Sequence, residues 1–398
     1  MNYDAIIIGA GPAGSTAALL LARSGWSVAL VEKSEFPRRK VCGEFISAPA
    51  LSLLTRVGVA EDILMKAGPE IREVAVYSGE RVITGSMPRA DGPVPFGRAL
   101  GREHLDTLLL RAAQAAGAVI WQPWRVKGYE RVDDGYVCCI EQKPPSDEKQ
   151  LRAPVVVAAH GSWGTGRLAL EGARRCARAS DLFAFKAHFT GGALETGRMP
   201  LVAFPGGYGG LVMSDRKRVS FSCCVRRDVL AQCRAEMPGV SAGAAVLAHV
   251  FGACRGMREA VGDATRDEAW LAAGPLQPGL RSAGSEGYFV VGNALGEAHP
   301  IVAEGISMAI QSAWLLCERL LAAPRVTRNA QWNDVARDYE AVYRRNFEQR
   351  INASSAFSML AMRPATAAIV AGLLDNVPSL LSMGARWAGK ASPLYASA

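Results

Sequence analysis

Residues 3–14, YDAIIIGAGPAG, contain the stretch that decides the fold. The apolar run Ala5 to Ile8 predicts a buried parallel strand, and glycines follow it at the G-x-G-x-x-G spacing of a dinucleotide-binding turn. At this spacing Gly9 permits a tight turn, Gly11 lets a pyrophosphate approach the backbone, and Gly14 lets helix and strand pack closely. The amino end of the next helix offers free N–H groups to the phosphates.

The residues that follow complete a strand–helix–strand unit. A helical stretch rich in alanine and leucine ends near Gly25, because glycine readily stops a helix. A second strand, Ser27 to Val31, ends at Glu32. An acid about 20 residues beyond such a glycine turn typically binds a ribose hydroxyl. The unit therefore predicts a site for FAD or NAD rather than NADP.

Bulk composition narrows the class of protein. The chain has 398 residues, 49% of them hydrophobic and 21% charged, which suggests two or three globular domains. No apolar run reaches the roughly 18 residues of a membrane-spanning helix, and MNYDAIIIGAG does not resemble a secretory signal. The nine cysteines show no CxxC pair or disulfide framework, which indicates a reducing, cytoplasmic compartment.

The formal net charge is +8, and two explanations of it stay open. It favours acidic ligands or an anionic membrane surface, and it is equally typical of a solvated, arginine-rich surface. No stripe of lysine and arginine is interleaved with aromatic residues, which argues against nucleic-acid binding.

Several separated stretches resemble one family. The chain is similar to the FAD-dependent oxidoreductases that group para-hydroxybenzoate-hydroxylase-type monooxygenases with geranylgeranyl-reductase-like and flavin-halogenase-like enzymes. The resemblance rests on GAGPAG at 9–14 with Glu32, RRKVCGE at 38–44, GRALGREHLDTLLLRAAQAAGA at 97–118, GNALGEAHPIVAEGISMAIQSAWLLCERL at 292–320 and, more weakly, VVVAAHGSWGTGR at 155–167.

The resemblance implies an α/β fold with a Rossmann-type FAD-binding domain of the glutathione-reductase kind. An antiparallel-sheet substrate domain is inserted into it, and a helical segment ends the chain. The expected boundaries are 1–70, 98–168 and 280–325 for the FAD-binding domain, 71–97 and 169–279 for the substrate domain, and 326–398 for the helical segment.

The resemblance also implies a site in which FAD lies extended, with NAD(P)H as a transient reductant. The expected cofactor-binding residues are Gly9, Gly11, Pro12, Ala13, Gly14, Glu32, Lys33, Arg39, Lys40, Cys42, Gly43, Arg102, Gly292, Asn293, Pro300, Ala303, Glu304, Gly305 and Ile306. The chain departs from the family pattern at three positions. Asn293 replaces an aspartate, Ala303 replaces a glycine, and His160 replaces the aspartate of an Asp-Gly pair.

The loop RRKVCGE is expected to line the reaction chamber. Arg38, Arg39 and Lys40 suit a pyrophosphate or an anionic substrate. Cys42 is either a reactive thiol beside basic residues or a small residue packed against the flavin. Glu44 either orients substrate or anchors the loop.

The predicted catalytic residues are Cys42 and two histidines, His188 and His299. His188 shares one face of a predicted strand, Leu182–Phe189, with Lys186, and this face either roofs the flavin or meets solvent. His299 precedes Pro300 at the expected flavin site, where an imidazole that titrates near neutral pH would serve as acid or base. Arg102 is either a cofactor contact, as the resemblance implies, or a surface residue at a helix start.

The expected function is hydroxylation of an aromatic or polyketide-like metabolite by a monooxygenase that uses O₂ and NAD(P)H. The alternatives are a reductase or dehydrogenase of apolar chains, a halogenase and a non-catalytic binding protein. The halogenase is disfavoured because residues 207–215 read GYGGLVMSD and contain no Trp-x-Trp-x-Ile-Pro motif. The apolar stretches FSMLAM and AAIVAGLL, within the segment 326–398, cap the substrate chamber or lie on a membrane surface. The oligomeric state stays open.

Overall fold

The first helix, Pro12–Arg23, ends two residues before Gly25, where the sequence predicts a helix stop. The protein is described by a computed structural model for residues 1–142, 147–162, 176–324, 329–392 and 394, with the backbone alone for 329–331. The helices are α1 (Pro12–Arg23), α2 (Ala48–Arg56), α3 (Ala60–Lys66), α4 (Arg102–Ala115), α5 (Arg227–Glu236), α6 (Ala242–Ala253), α7 (Arg255–Val261), α8 (Gly305–Ala322), α9 (Asn329–Met362), α10 (Pro364–Asn376) and α11 (Ser379–Trp387).

The strands belong to two large sheets and three small ones. They are β1 (Ala5–Ile8), β2 (Val28–Val31), β3 (Phe45–Ile46), β4 (Glu73–Ser78), β5 (Arg81–Ser86), β6 (Arg98–Ala99), β7 (Val119–Trp121), β8 (Arg125–Val132), β9 (Gly135–Gln142), β10 (Asp147–Ala153), β11 (Val155–Ala158), β12 (Leu182–Thr190), β13 (Arg198–Phe204), β14 (Gly207–Met213), β15 (Val219–Arg226), β16 (Thr265–Arg266), β17 (Leu271–Ala273), β18 (Gly279–Leu280), β19 (Gly284–Ser285), β20 (Tyr288–Val290) and β21 (Gly296–Glu297).

The first large sheet is built around the amino-terminal strand. Its order is β19-β20-β11-β1-β2-β7, and all neighbours are parallel except β19 and β20. Strands β1, β2 and β11 are buried along their whole length, as a parallel sheet covered on both faces requires. Helices α1, α4 and α8 pack on one face, and the antiparallel sheet β8–β10 covers the other.

The second large sheet has the order β16-β12-β15-β14-β13-β4-β5, with β17 also paired to β12. Its neighbours are antiparallel except β4 and β13, which run parallel. Phe185, Ala187 and Phe189 of β12 pack with α6 and α7 on one face. The alternation along β12 therefore turns Lys186 and His188 toward the opposite face, which meets the amino-terminal half of the chain.

The last three helices follow the breakers that the sequence indicates. Pro364 begins α10, and Pro378 precedes α11. The first part of α9 packs in the core of the parallel-sheet half through Tyr339, Tyr343 and Phe347. Helices α10 and α11 pack against the edge of the second sheet at β4 and β5. The carboxyl-terminal helices thus bridge both sheets.

We expect Gly14→Ala to destabilise the protein, because a Cβ at Gly14 would lie 1.8 Å from the carbonyl oxygen of Gly9. Overpacking of this kind costs about 1–3 kcal/mol. Denaturant unfolding of the cofactor-free protein measures the change. The matched control is Gly252→Ala in α6, where nothing lies within 4 Å of the new methyl group and helix propensity predicts a gain of about 0.5–1 kcal/mol. Unfolding of Gly14→Ala at the wild-type denaturant concentration would contradict the close helix–strand packing.

Candidate functional site

The glycine turn joins β1 to α1 at the carboxyl end of the parallel sheet. Gly9 has φ +103°, and a Cβ there would lie 2.6 Å from the carbonyl oxygen of Ala159. Gly11 caps α1 without a side-chain hydrogen bond, and Pro12 occupies the first turn. A Cβ at Gly11 would find its nearest neighbour 3.9 Å away, at Nη2 of Arg102. The turn therefore leaves open space before the amino end of α1, as a phosphate site requires.

Glu32 braces this turn from the end of β2. Its carboxylate accepts hydrogen bonds from the backbone N–H groups of Ala10 and Ser34, both at 2.9 Å, and from Arg38 at 3.3 Å. The side chain is buried and lines the same cavity as Gly11. Glu32 thus holds the glycine turn in shape and also faces the space where the sequence places a ribose.

A second helix start faces the cavity from the other end of the chain. Pro300–Val302 form one 3₁₀ turn, Ala303 takes the left-handed conformation with φ +48°, and α8 begins at Gly305. A methyl group at Ala303 is costly in this conformation, which explains why the resembled family has glycine there. Nothing lies within 4 Å of a Cβ at Gly305, so open space also faces the start of α8.

Lys390 supports this turn, a contact that no sequence motif indicates. Its Nζ donates hydrogen bonds to the carbonyl oxygens of Val302 (2.7 Å) and Ala303 (3.0 Å) and to Oε1 of Glu304 (2.7 Å). Burial lowers the pKa of Lys390, and the nearby Glu304 carboxylate opposes that shift. Oε1 of Glu304 is therefore engaged with Lys390, and Glu304 itself does not line the cavity.

The loop 38–44 crosses the cavity as expected, but its basic residues have different surroundings. Arg38 lies beside Glu32 and 3.7 Å from Asp106, whereas Arg39 pairs with Glu268. Burial, and then the positive charges of Arg102 and Arg38, lower the pKa of Lys40 to about 8. Because Arg38 and Arg39 have acidic partners, Lys40 is the loop cation best placed to need an anionic ligand.

Glu44 anchors the loop to the second sheet. Its side chain is fully buried, and its backbone takes the left-handed conformation with φ +64°. The carboxylate pairs with Lys186, accepts a hydrogen bond from His188 Nε2 at 2.8 Å, and accepts one from the Arg102 N–H at 3.3 Å. Burial opposes ionisation, but Lys186 and His188 outweigh it and hold the pKa of Glu44 well below its ordinary value. Of the two roles considered for Glu44, these contacts favour the anchor.

His188 is a member of this cluster and lies outside the cavity. Its Nε2 must carry the proton of the bond to Glu44, because an ionised carboxylate only accepts. Its strand face is buried rather than solvated, since Lys186 and His188 are both almost inaccessible to solvent. Cys42 lies two residues before Glu44, is half-buried, and its Sγ accepts a hydrogen bond from the Glu44 N–H at 3.4 Å.

Arg102 is buried, so its interpretation as a surface helix-start residue is wrong. Its guanidinium makes two parallel hydrogen bonds to Asp106, at 2.7 and 2.8 Å, one turn along α4. Burial disfavours its charge, but Asp106 more than compensates and raises the pKa of Arg102 above its ordinary value. The guanidinium reaches the cavity wall beside Gly11. Contact of Arg102 with a cofactor stays a prediction.

His299 lines the cavity, but the expectation that it titrates near neutral pH is wrong. Burial lowers the pKa of His299 to about 4, and its Nδ1 lies 3.3 Å from the hydroxyl oxygen of Tyr208. The imidazole is therefore neutral at pH 7. His160 also lines the cavity, with Nδ1 3.1 Å from the carbonyl oxygen of Gly161. The later residues of its stretch, 163–167, lie outside the described residues.

One cavity of about 1190 Å³ brings most of the predicted site residues together. Ligand pockets usually measure about 300–1,000 Å³, so this cavity exceeds a site for one small ligand. Gly14, His188 and Glu304 are the predicted residues absent from its wall. Those that line it are Gly9, Gly11, Pro12, Ala13, Glu32, Lys33, Arg39, Lys40, Cys42, Gly43, Arg102, Gly292, Asn293, His299, Pro300, Ala303, Gly305 and Ile306.

The cavity continues beyond the glycine turn into an apolar chamber. We call chamber the part lined by Val74, Val76 and Leu201 of the second sheet and by residues of the carboxyl-terminal helices, among them Val370 and Leu374. The stretches FSMLAM and AAIVAGLL contribute Phe357, Leu360 and Ala367 to the lining, which agrees with their expected place at the substrate chamber. The opposed helix starts and the open space before them fit FAD, with the apolar chamber adjoining.

Comparison with known proteins finds a partial family match and a shared fold. Residues 2–190 match the family model described as FAD binding domain. The flavin-dependent brominase Bmp2 has the same fold, with a TM-score of 0.78 at 18% identity over 98% of this chain and 94% of that one. Residues 2–190 thus resemble a FAD-binding domain, and the whole chain shares its fold with Bmp2.

Curated relatives differ in their named activities. They include a 1H-pyrrole-2-carbonyl-(peptidyl-carrier protein) brominase from Pseudoalteromonas luteoviolacea (31% identical, 48% of this chain and 45% of the relative), a digeranylgeranylglycerophospholipid reductase from Thermoplasma volcanium (31%, 40% and 39%) and a 6-methylpretetramide 4-monooxygenase from Streptomyces rimosus (32%, 42% and 40%). The chain thus spans less than half the length of these relatives.

We expect Glu44→Gln to destabilise the protein by about 3–5 kcal/mol, because the change leaves Lys186 buried without its counter-charge. Denaturant unfolding measures this. The matched control is Glu268→Gln, which removes the partly exposed partner of Arg39 and should cost about 1 kcal/mol or less.

The effect of Glu44→Gln should also depend on pH. A carboxyl whose pKa is lowered on folding stabilises the protein above its ordinary pKa and loses that contribution as the pH falls. The difference between wild type and Glu44→Gln should therefore be constant from pH 7 to about 5 and shrink below about pH 4. A difference that is absent at pH 7, or one equal to that of Glu268→Gln, would show that the cluster does not anchor the loop.

We expect the affinity for FAD to fall as Lys40 loses its charge. If the protonated amine binds the cofactor's phosphates, the dissociation constant rises above pH 8 by up to about tenfold per pH unit. Fluorescence titration of the cofactor-free protein between pH 7 and 9 measures it. Lys40→Met should bind more weakly at pH 7 and show a flat profile. Lys66→Met, at an exposed position outside the cavity, should keep the wild-type profile. A wild-type slope retained in Lys40→Met would contradict this role.

Proposed function

We propose that the protein is a flavin monooxygenase that uses NAD(P)H as a transient reductant and O₂ to hydroxylate an aromatic or polyketide-like metabolite. The observation that carries the proposal is one continuous cavity with a polar end and an apolar end. The polar end joins the glycine turn to the start of α8, and the apolar end is the chamber. Such a cavity suits a bound dinucleotide with an apolar substrate beside it.

The residues at the polar end fit FAD. The free N–H groups at the start of α1 would hold the pyrophosphate, Glu32 the ribose, and the N–H groups at the start of α8 would stabilise negative charge on the ring system. When bound, FAD supplies hydride acceptance and oxygen activation, which no side chain can provide.

The chain's own residues bind and orient the substrate, and they exclude water. The apolar wall of the chamber keeps water from the reacting atoms. His299 and Tyr208 at its edge present a neutral imidazole and a hydroxyl, which can orient a polar group of the substrate by hydrogen bonding. Because burial lowers the pKa of His299 to about 4, this pair positions the substrate at neutral pH and does not act through imidazolium.

The other two predicted catalytic residues receive different roles. His188 does not line the cavity, so we assign it the role of positioning the loop 38–44 through its hydrogen bond to Glu44. Cys42 lines the cavity, and hydroxylation at a flavin needs no thiol nucleophile. We therefore assign Cys42 to packing against the cofactor.

A reductase that saturates an apolar chain is the second candidate. The observation in its favour is the aliphatic character of the chamber wall, which includes Val74, Val76, Leu201, Leu374 and Leu381. The resemblance to a digeranylgeranylglycerophospholipid reductase points the same way, whereas the 6-methylpretetramide 4-monooxygenase supports hydroxylation. The two reactions differ in their need for O₂.

We expect product formation to require O₂ and the product to carry labelled oxygen from ¹⁸O₂. The purified holoprotein is incubated with NADH or NADPH and with aromatic, polyketide-like and prenyl substrates, in labelled O₂ and without oxygen. Mass spectrometry identifies the product. Saturation of a double bond under anaerobic conditions would replace the proposal by the reductase.

A pair of variants in α10 tests whether the chamber holds the substrate. Val370 lines the chamber, whereas its neighbour Ile369 is exposed. Val370→Trp should raise KM or abolish turnover and leave FAD bound, because the larger side chain occupies substrate space. Ile369→Trp should retain wild-type turnover. Equal effects of the two changes would contradict the assignment of the chamber.

A further inference from the structure

Helix α10 carries a line of exposed apolar side chains. Ile369, Leu373 and Val377 are 72%, 55% and 42% exposed and follow one another at intervals of four residues, Val377 just beyond the helix end. Residues so spaced lie on one side of a helix. A helix on the surface of a water-soluble protein normally turns polar residues outward. The outer side of α10 is instead apolar, which is unfavourable for contact with water.

The exposed line continues onto the two neighbouring helices. Near the end of α9, Phe357, Met359 and Leu360 are exposed, and so are Met383 and Trp387 of α11. The rings of Phe357 and Trp387 contact each other, with centroids 5.4 Å apart. We call these eight residues of α9, α10 and α11 the apolar face. The other exposed large hydrophobic side chains of the described residues, such as Met65 and Val240, are scattered singly.

The inner side of the same helices is the chamber wall. Val370, Ala371 and Leu374 of α10 line the chamber, so this helix is apolar on both sides. Phe357, Leu360 and Trp387 belong to both surfaces, since they line the cavity and are also exposed. The chamber is therefore separated from the apolar face by one layer of side chains.

The charges around the apolar face select the kind of partner. Residues 349–398 contain four basic residues and a single acidic one, Asp375. Arg363, between α9 and α10, and Arg386 of α11 are exposed, and Arg81 lies beside Gly372 of α10. Exposed apolar side chains bordered by arginine suit an interface with anionic lipid headgroups.

We propose that the apolar face docks on the surface of an anionic lipid bilayer without crossing it. Among the residues that the structure describes, no single helix is long and apolar enough to span a membrane; only α9 and α10 taken together qualify, and they meet at a bend of 103°. Helix α10 has 13 residues, fewer than the ~20 that a span requires. The first part of α9 is held in the core through Tyr339 and Tyr343, so it is not available for insertion.

The experiment is co-sedimentation of the full-length, FAD-loaded protein with vesicles. One set consists of phosphatidylcholine, and the other contains a minority of phosphatidylserine. We expect the wild type to sediment with the anionic vesicles and to dissociate as salt is raised, because salt screens headgroup attraction. Ile369→Glu/Met383→Glu should bind at least about tenfold more weakly, because two apolar side chains no longer enter the lipid.

Two further variants isolate the face and its charges. The matched control, Met65→Glu/Val240→Glu, changes two exposed apolar residues elsewhere and should bind like the wild type. Arg363→Gln/Arg386→Gln should lose the preference for anionic vesicles. Retained flavin absorbance and circular dichroism verify that each variant is folded.

Three outcomes would overturn the proposal. The first is a wild-type protein that stays in the supernatant with both kinds of vesicle. The second is an equal loss of binding in the control variant. The third is a dimer in sedimentation velocity that Ile369→Glu/Met383→Glu converts to monomer, since a second copy of the chain would then cover the face. These readouts do not involve turnover, so they are independent of the reaction proposed above.

Discussion

The buried carboxylate of Glu44 is the constraint on which the site depends. Three separate parts of the chain meet there: the loop that crosses the cavity, strand β12 through Lys186 and His188, and the start of α4 through the N–H of Arg102. Burial of a carboxylate costs free energy, and the contacts of Glu44 with Lys186 and His188 offset that cost. The cluster therefore ties the second sheet to the loop 38–44 and to the start of α4.

The cofactor end of the molecule was largely predictable because its signals are local. The glycine spacing after β1 fixes a turn, and the acid after β2 follows within the same unit. Helix α1 ends at Arg23, within two residues of the stop predicted at Gly25. Strand β12 was also predictable from the sequence, but the parallel pairing of β4 with β13 was not, because strand neighbours depend on contacts far apart in sequence.

What the sequence could not reveal is pairing between distant charges. Glu44 and Lys186 are separated by 142 residues, and Lys390 and Glu304 by 86. Each residue alone is compatible with a solvated surface, and burial of either depends on its partner. The same limit applies to His299. Its residue type suggested titration near neutral pH, and only its surroundings show that burial keeps it neutral.

Helix α11 links the apolar face to the turn that precedes α8. Trp387 near its end belongs to the apolar face, and Lys390, three residues later, holds the carbonyl oxygens just before α8. A rigid-body shift of α11 would move both together, stretching or releasing the hydrogen bonds that keep Ala303 in its left-handed conformation. The segment after α11 is thus mechanically coupled to the turn before α8, and loss of Lys390 would remove the hydrogen bonds that support that turn.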